Sequence, residues 1–486
     1  MQFNWRLWAG PSAFLAILLF ADLSPGKPAV TAMAAVAAWM TIWWLAEAVH
    51  LSVTALLPLV LLPLLGIADT KSVAAQYMDP VIFLFIGGFL IALALERWDL
   101  HQRIALRILS WMGSSASRVL FGVMLTAYGI SMWISNTATV MMLLAAVVAL
   151  MVQLEMHLGA DERTRRLEAG ILIGLAYSAT IGGMATLVGT PTNMVFLRFY
   201  LEKFPQNHDM NFFNWFAVGF PISLLFLLIS FALLRWLFVS GGERLVIKRD
   251  YFIGEYRRLG AMDYEQIVVS VVFVLTALLW FSRGDIDFGG FTLHGWGGLF
   301  RSQEFVGDST VAVAAALALF VIPSRQEPDR ALLCWDEAAK LPFDIVLLFG
   351  GGFALAKGFE LSGLSAWLGQ QLAFVADANI YGVLLALCAL IAVISEFASN
   401  VACIQLMLPV LLVLQANMGV HPLVLLVPAT LAASLGFMLP VATAPNTIVF
   451  GTRRIAARDM LKAGLMLDVI GVLLITAAMG WMASGY

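Results

Sequence analysis

Long apolar runs, interrupted by short polar clusters, fill the chain from Leu7 to Ala483. About 20 apolar residues in a helix cross the roughly 30 Å hydrocarbon core of a bilayer. By that measure residues 7–23, 29–49, 51–67 and 80–95 read as four spans. From Arg97 to Arg118 the pattern turns amphipathic, with Arg97, Arg103 and Arg107 on a polar side, which predicts a helix lying on the membrane surface. Further spans are read at 171–199, 213–239, 267–281, 309–322, 343–359, 423–450 and 465–483, with a second surface helix at 360–379. The first run has one basic residue before it, Arg6, and no clear cleavage motif, so it reads as a span and not a signal peptide.

Two stretches resist simple counting. Residues 119–154 and 381–415 are apolar hairpins with Ser135-Asn136-Thr137 and Ser399-Asn400-Val401 at their centres. Each is either two spans with a turn in water or a re-entrant hairpin whose tip stops inside the membrane. In the second case the polar tip needs partners, because stripping a hydroxyl or amide of water costs roughly 2–7 kcal/mol. Two of the spans also carry breaks. The interruptions Gly182–Asn193, with its unwinding at Gly189-Thr190-Pro191 ahead of Thr192-Asn193, and Leu439–Asn446, with Thr443-Ala444-Pro445-Asn446, predict helices that unwind and resume, since glycine and proline break the hydrogen-bond ladder.

These features repeat. Phe85–Glu96 matches Phe349–Glu360 at an offset of 349 − 85 = 264, and Ser135-Asn136 matches Ser399-Asn400 at 399 − 135 = 264. The two proline breaks match at 443 − 190 = 253. Internal repeats with broken helices are the signature of secondary transporters. Most of the 28 Lys and Arg fall on one side if the N-terminus is cytoplasmic and both hairpins are re-entrant. That gives eleven spans, a C-terminus outside, and two halves inverted relative to each other. The charge count supports the orientation firmly and the re-entrance only in part.

Composition agrees with a polytopic all-α membrane protein: 61% hydrophobic, 12% charged, against about 25% charged in soluble domains. A net charge of −3 offers no basic surface for nucleic acid. Cys334, Cys388 and Cys403 lack metal or disulfide spacing and read as apolar residues. No Asn-x-Ser/Thr sequon occurs, in keeping with a bacterial inner membrane. The apolar spans hold no nucleophile–base pairing, so an enzyme is not expected, and a channel needs no broken inverted repeat.

The motifs offer neutral chemistry. Hydroxyls and backbone carbonyls suit a hard cation such as sodium, while helix N-termini favour an anion. No Lys or Arg lies within the four motifs, so anion and cation are each poorly housed without the other, which is a physical reason for coupling. Helix capping alone accounts for Ser-Asn tips less well, because the pattern recurs in register. Glu396, inside the second hairpin, is read as either functional or an acceptor for the hairpin backbone. Glu96 and Glu360 are read as caps of the surface helices, Glu47 as an interfacial or packing residue, and the glycines at 87–88 and 350–352 as permitting close helix packing.

With those residues in view, SNTAT, GTPTN, SEFASN and FMLPVATAPN resemble the divalent anion/sodium symporter family of di- and tricarboxylate carriers over nearly the whole chain. The resemblance implies a homodimer moving substrate by an elevator motion. It divides the chain into first-half scaffold and arm (1–118), first-half transport elements (119–240), cytoplasmic linker (241–263), second-half scaffold and arm (264–379) and second-half transport elements (380–486). It implies one sodium site from Ser131, Ser135, Asn136 and Gly189, and a second from Ser395, Ala398, Asn400 and Ala442. A dicarboxylate such as succinate, malate or fumarate would meet Ser135, Asn136, Thr137, Ser399, Asn400 and position 401, with Thr190, Pro191 and Thr443 close by. Four residues depart from the family pattern: Val401 for a Thr, Ser395 for a Thr, and Thr192 and Ala444 within the usual Pro-Pro pairs. The first leaves substrate choice open among C4-dicarboxylates, citrate and sulfate, and symport against exchange.

Overall fold

The structure is a computed structural model, and it describes residues 5–112, 115–158, 161–206, 210–239, 250–287, 291–300, 305–375 and 378–483. Part of the linker read at 241–263, including Lys248 and Arg249, lies outside them.

In chain order the helices of the first half are α1 (Trp5–Phe20), α2 (Pro28–Ala46), α3 (Leu51–Thr54), α4 (Leu57–Leu64), α5 (Thr70–Ala74), α6 (Pro80–Arg97), α7 (Leu100–Met112), α8 (Ala116–Ser131), α9 (Asn136–Leu158), α10 (Glu162–Gly183), α11 (Pro191–Lys203) and α12 (Phe212–Phe238). The linker contributes α13 (Asp250–Arg258). The second half has α14 (Tyr264–Phe281), α15 (Asp308–Val321), α16 (Trp335–Ala338), α17 (Phe343–Ser362), α18 (Leu364–Gln371), α19 (Ile380–Phe397), α20 (Asn400–Met418), α21 (Pro422–Ala432), α22 (Ala444–Gly451) and α23 (Ala457–Ala483). A two-residue antiparallel ribbon, β1 (Ile286–Asp287) with β2 (Thr292–Leu293), is the sheet among the described residues, and the sequence reading did not anticipate it.

Nine of the described helical stretches are long and apolar enough to cross a membrane. Among the helices flanking the motifs, α9, α19 and α20 belong to those nine, whereas α8, α11 and α22 are shorter. At 1.5 Å per residue, α8 with 16 residues reaches about 24 Å and α11 with 13 about 20 Å. α22, with 8 residues, reaches about 12 Å. Each falls short of the roughly 30 Å hydrocarbon thickness. Such lengths suit hairpins and half-helices that end inside the protein.

Several expectations change. The span read at 51–67 is two short helices, α3 and α4, with the turn between them held from outside: the Tyr77 hydroxyl donates to Ala55 O at 2.5 Å. Glu96 and Glu360 do not cap surface helices. Both lie in the last turns of α6 and α17, and Glu360 pairs with Lys203 and Lys357. The surface arm near 97–118 is seen as α7, but its counterpart is the shorter α18, started by Gly363 in the left-handed region at φ 81°. The glycine run does bring helices together: a Cβ on Gly351 would lie 2.5 Å from Ala55.

Packing sorts the elements into two groups. α8, α10 and α12 pack on one another and, through α12, on α23, which packs on α19 and α21. α6 packs on α15, α15 on α14, α1 on α2, and α2 on α17. Contacts between the groups run through α7 against α8, through α20 against α17 and α18, and through α11 against α6. There the buried Arg198 of α11 donates to Gln76 O at 2.7 Å, pairs with Asp79 at 3.2 Å and lies over the Phe353 ring.

Candidate functional site

All four motifs become helix starts. α9 begins at Asn136, α11 at Pro191, α20 at Asn400 and α22 at Ala444. The chain turns between Ser131 and Asn136 in one hairpin and between Phe397 and Asn400 in the other. The first broken helix is unwound over residues 184–190, the second over 433–443. The first break falls within the interruption read from Gly182, whereas the second begins six residues before Leu439. Proline preorganises the restart at N1 of a helix. Where the preceding helix stops is set elsewhere.

The four starts form one cluster. α9 packs on α22 and α20 packs on α11, so each hairpin's outgoing helix lies against the other half's restarted helix. Thr192 Oγ1 lies 3.5 Å from Ser434 Oγ, joining the two breaks directly. Tyr177 of α10 adds a second tie, its hydroxyl donating to Phe437 O at 2.6 Å and Met460 O at 3.1 Å.

Within each half a serine organises the asparagine. Ser131 Oγ donates to Asn136 Oδ1 at 2.7 Å, and Ser395 Oγ donates to Asn400 Oδ1 at 2.8 Å. The two pairs share a five-residue spacing and the 264-residue offset. Asn136 Oδ1 also faces the first break: a Cβ on Gly183 would lie 2.5 Å from it and 3.1 Å from Gly189 O. Ser131, Asn136, Gly183 and Gly189 therefore share one oxygen-rich corner. In the second half Ser395 Oγ reaches Ala433 O at 2.6 Å, and Gly436 lies against Ala442, Thr443 and Ser395 O. Ser395, Asn400, Ala442 and Thr443 share the equivalent corner, and Ala398 is the extended residue that ends α19 beside it.

Other predicted residues take more local roles. Ser135 accepts from Ala138 N at 3.3 Å, a capping bond, whereas Ser399 makes none. Thr443 accepts from Asn446 N at 3.4 Å; Thr190 accepts only the Thr192 hydroxyl, at 3.3 Å. Thr137 is half-buried and Val401 is buried in the first turn of α20. The corners carry hydroxyl, amide and carbonyl oxygens, a donor set for a hard monovalent cation. Among the described residues no cluster of His, Cys, Asp and Glu could hold a metal.

A sodium:sulfate symporter transmembrane-region model matches residues 3–484. The chain belongs to that family. A sodium-dependent dicarboxylate transporter from Staphylococcus saprophyticus is 35% identical over 478 residues, covering 96% of this chain and 88% of the relative. Counterparts from two Staphylococcus aureus strains, bovine RF122 and MSSA476, are each 36% identical with the same coverage of both chains. Family membership fits an all-helical membrane transporter and leaves the residue roles to geometry.

Geometry decides the role of Glu396 and adds residues that the sequence reading missed. Glu396 accepts from Met438 N at 2.8 Å and Leu439 N at 2.9 Å, so it holds the second break and not its own hairpin. Gly183, Thr186, Ala433 and Gly436 form the corner walls. Thr186 donates to Met132 O and accepts from Gly189 N at 3.1 Å, tying hairpin to break. A search for the 253-residue offset would have paired Gly183 with Gly436, since 436 − 183 = 253. Nothing local marks Ala433.

Proposed function

We propose that the chain is a sodium-coupled importer of C4-dicarboxylates such as succinate, malate or fumarate. One observation carries this reading: four helices start at the two hairpin tips and the two breaks, beside two mirrored oxygen corners. A helix N-terminus carries roughly half a positive charge. Four of them supply up to roughly two charges, the scale of a dianion, without any basic side chain. Arg198, the cation nearest the first break in sequence, is engaged with Gln76 and Asp79. The relatives named as sodium-dependent dicarboxylate transporters support the same ion and substrate class.

The roles follow. Sodium ions would sit in the corners of Ser131, Ser135, Asn136 and Gly189 and of Ser395, Ala398, Asn400 and Ala442. Each ion needs its carbonyls freed by the break. The carboxylates would meet the N-terminal amides and the Ser135, Asn136, Thr137, Ser399, Asn400 and Val401 positions, with Thr190, Pro191 and Thr443 flanking. The α8–α12 and α19–α23 group is read as the moving domain and the remainder as a dimeric scaffold, in eleven spans and two re-entrant hairpins with the N-terminus inside. The motion would be an elevator, because the site lies inside one packed group.

The test is uptake of labelled succinate into proteoliposomes, with external sodium replaced by choline or potassium. Uptake should require sodium; equal uptake without it removes symport. Excess malate, citrate and sulfate as competitors then rank the substrates. Asn136→Ala and Asn400→Ala should each cut uptake by about 100-fold or more, as loss of a group shared by cation and anion implies. Near-normal uptake in both would overturn the site.

A further inference from the structure

The two breaks hold a second mirrored pair that the proposed ligand sets leave unused. Asn193 Nδ2 donates to Gly183 O at 3.1 Å and to Thr186 O at 2.8 Å, ten and seven residues back. Asn446 Nδ2 donates to Gly436 O at 3.0 Å and to Leu439 O at 3.1 Å, again ten and seven residues back. Both side chains are fully buried, and the Oδ1 of each accepts no hydrogen bond. Nδ2 bonding to two carbonyls fixes which arm of each amide is oxygen.

The carbonyls so held belong to the corners described above. Gly183 lies against Asn136 Oδ1 and Gly189 O; Gly436 lies against Ala442, Thr443 and Ser395 O. The same two-carbonyl clamp thus recurs in register at both corners. We infer that Asn193 and Asn446 are positioning residues for the two cations: their amide hydrogens set the carbonyls of each unwound turn at the spacing sodium requires. The inference rests on the cation sites of the proposed function and adds to them two residues outside the ligand sets.

The purified full-length protein is titrated with sodium, without dicarboxylate, and its thermal unfolding followed. Asn193→Ala and Asn446→Ala should each weaken the sodium-dependent rise in Tm, with an apparent sodium affinity lower by about 10-fold or more. In proteoliposomes the same variants should raise the sodium concentration for half-maximal uptake. At saturating sodium, half-saturation by succinate should stay within about twofold of wild type. Asn193→Ser and Asn446→Ser, which keep one donor, stand in if the alanine variants fail to fold, and should shift sodium affinity in the same direction. Asn417→Ala is the structural control. Its amide also clamps a carbonyl, Gly369 O at 2.7 Å, but away from both corners; it should lower Tm and leave the sodium-dependent rise intact. A wild-type protein with no sodium-dependent rise would sink the proposed cation sites themselves. A wild-type rise matched in the Asn193 and Asn446 variants would overturn this inference alone.

Discussion

The break in the first half and its counterpart in the second share an asparagine clamp and differ in nearly everything around it. Residues 184–190 are buried apart from Val188, and neutral neighbours satisfy them: Trp215 Nε1 donates to Met184 O at 3.2 Å and Thr186 bridges Met132 and Gly189. Residues 433–443 form a longer turn. Val441 is 78% exposed, and Ala444 and Thr447 continue an exposed face along α22. The carboxylate of Glu396 takes two of the freed N–H groups there. One break is thus enclosed by packing. The other is open on one side and is held by the carboxyl group of one side chain. Halves that inherit the same motif need not carry the same mechanical duty. The open break with its carboxyl anchor has fewer packing contacts to lose when the site changes exposure.

Removing the anchors should break this comparison most visibly. Glu396→Ala leaves the Met438 and Leu439 N–H groups without their acceptor, each at about 1–3 kcal/mol. We expect Tm to fall and sodium-dependent uptake to drop at least tenfold, about 1.4 kcal/mol or more. Thr186→Val removes one neutral bridge from a break that Trp215 and packing still enclose, so its effect should be smaller in both assays. Equal losses in the two variants would mean that the carboxylate does not distinguish the halves.

Exposure gives a gentler test. In a cysteine-free background, Val441→Cys should react with a membrane-impermeant maleimide much faster than Val188→Cys, because the former side chain is open and the latter is half-enclosed. Sodium with succinate should slow the Val441→Cys reaction if that break closes over substrate. Similar rates at both positions would show that the halves are equally open.

Much of this site was legible because proline, serine and asparagine act locally. Pro191 sits at N1 of α11, and Asn136 and Asn400 open their helices, as polar tips between apolar runs implied. The Ser131–Asn136 and Ser395–Asn400 bonds keep the same 264-residue register, although neither bond was read from the sequence. The extent of the second break was not legible. Ala432-Ala433-Ser434-Leu435 has ordinary helix-forming character, and tertiary partners decide against it. Ser395 takes Ala433 O and Glu396 takes the Met438 and Leu439 N–H groups, all from about 40 residues away. The division of 51–67 into α3 and α4 has the same origin in Tyr77. Glu96 and Glu360 were misread because a repeat fixes equivalence, not role: only Glu360 meets Lys203, a contact across from α11.

The smallest expected effect lies where the hairpin tips differ in one residue. Thr137 is half-buried in the first turn of α9, while Val401, its counterpart at 401 − 137 = 264, is buried at 9% exposure in the first turn of α20. A threonine hydroxyl and a valine methyl occupy nearly the same volume, so Val401→Thr should fold normally. Burying the new hydroxyl costs stability unless it finds a partner; the neighbouring helix turn offers a carbonyl, and bound substrate offers a carboxylate. A single added donor in a pocket changes discrimination by about 1–3 kcal/mol at most. We therefore expect uptake of succinate within about threefold of wild type, with citrate and malate competing more strongly against it. If the competition profile is unchanged, position 401 does not line the substrate pocket, and the asymmetry between the tips is confined to packing.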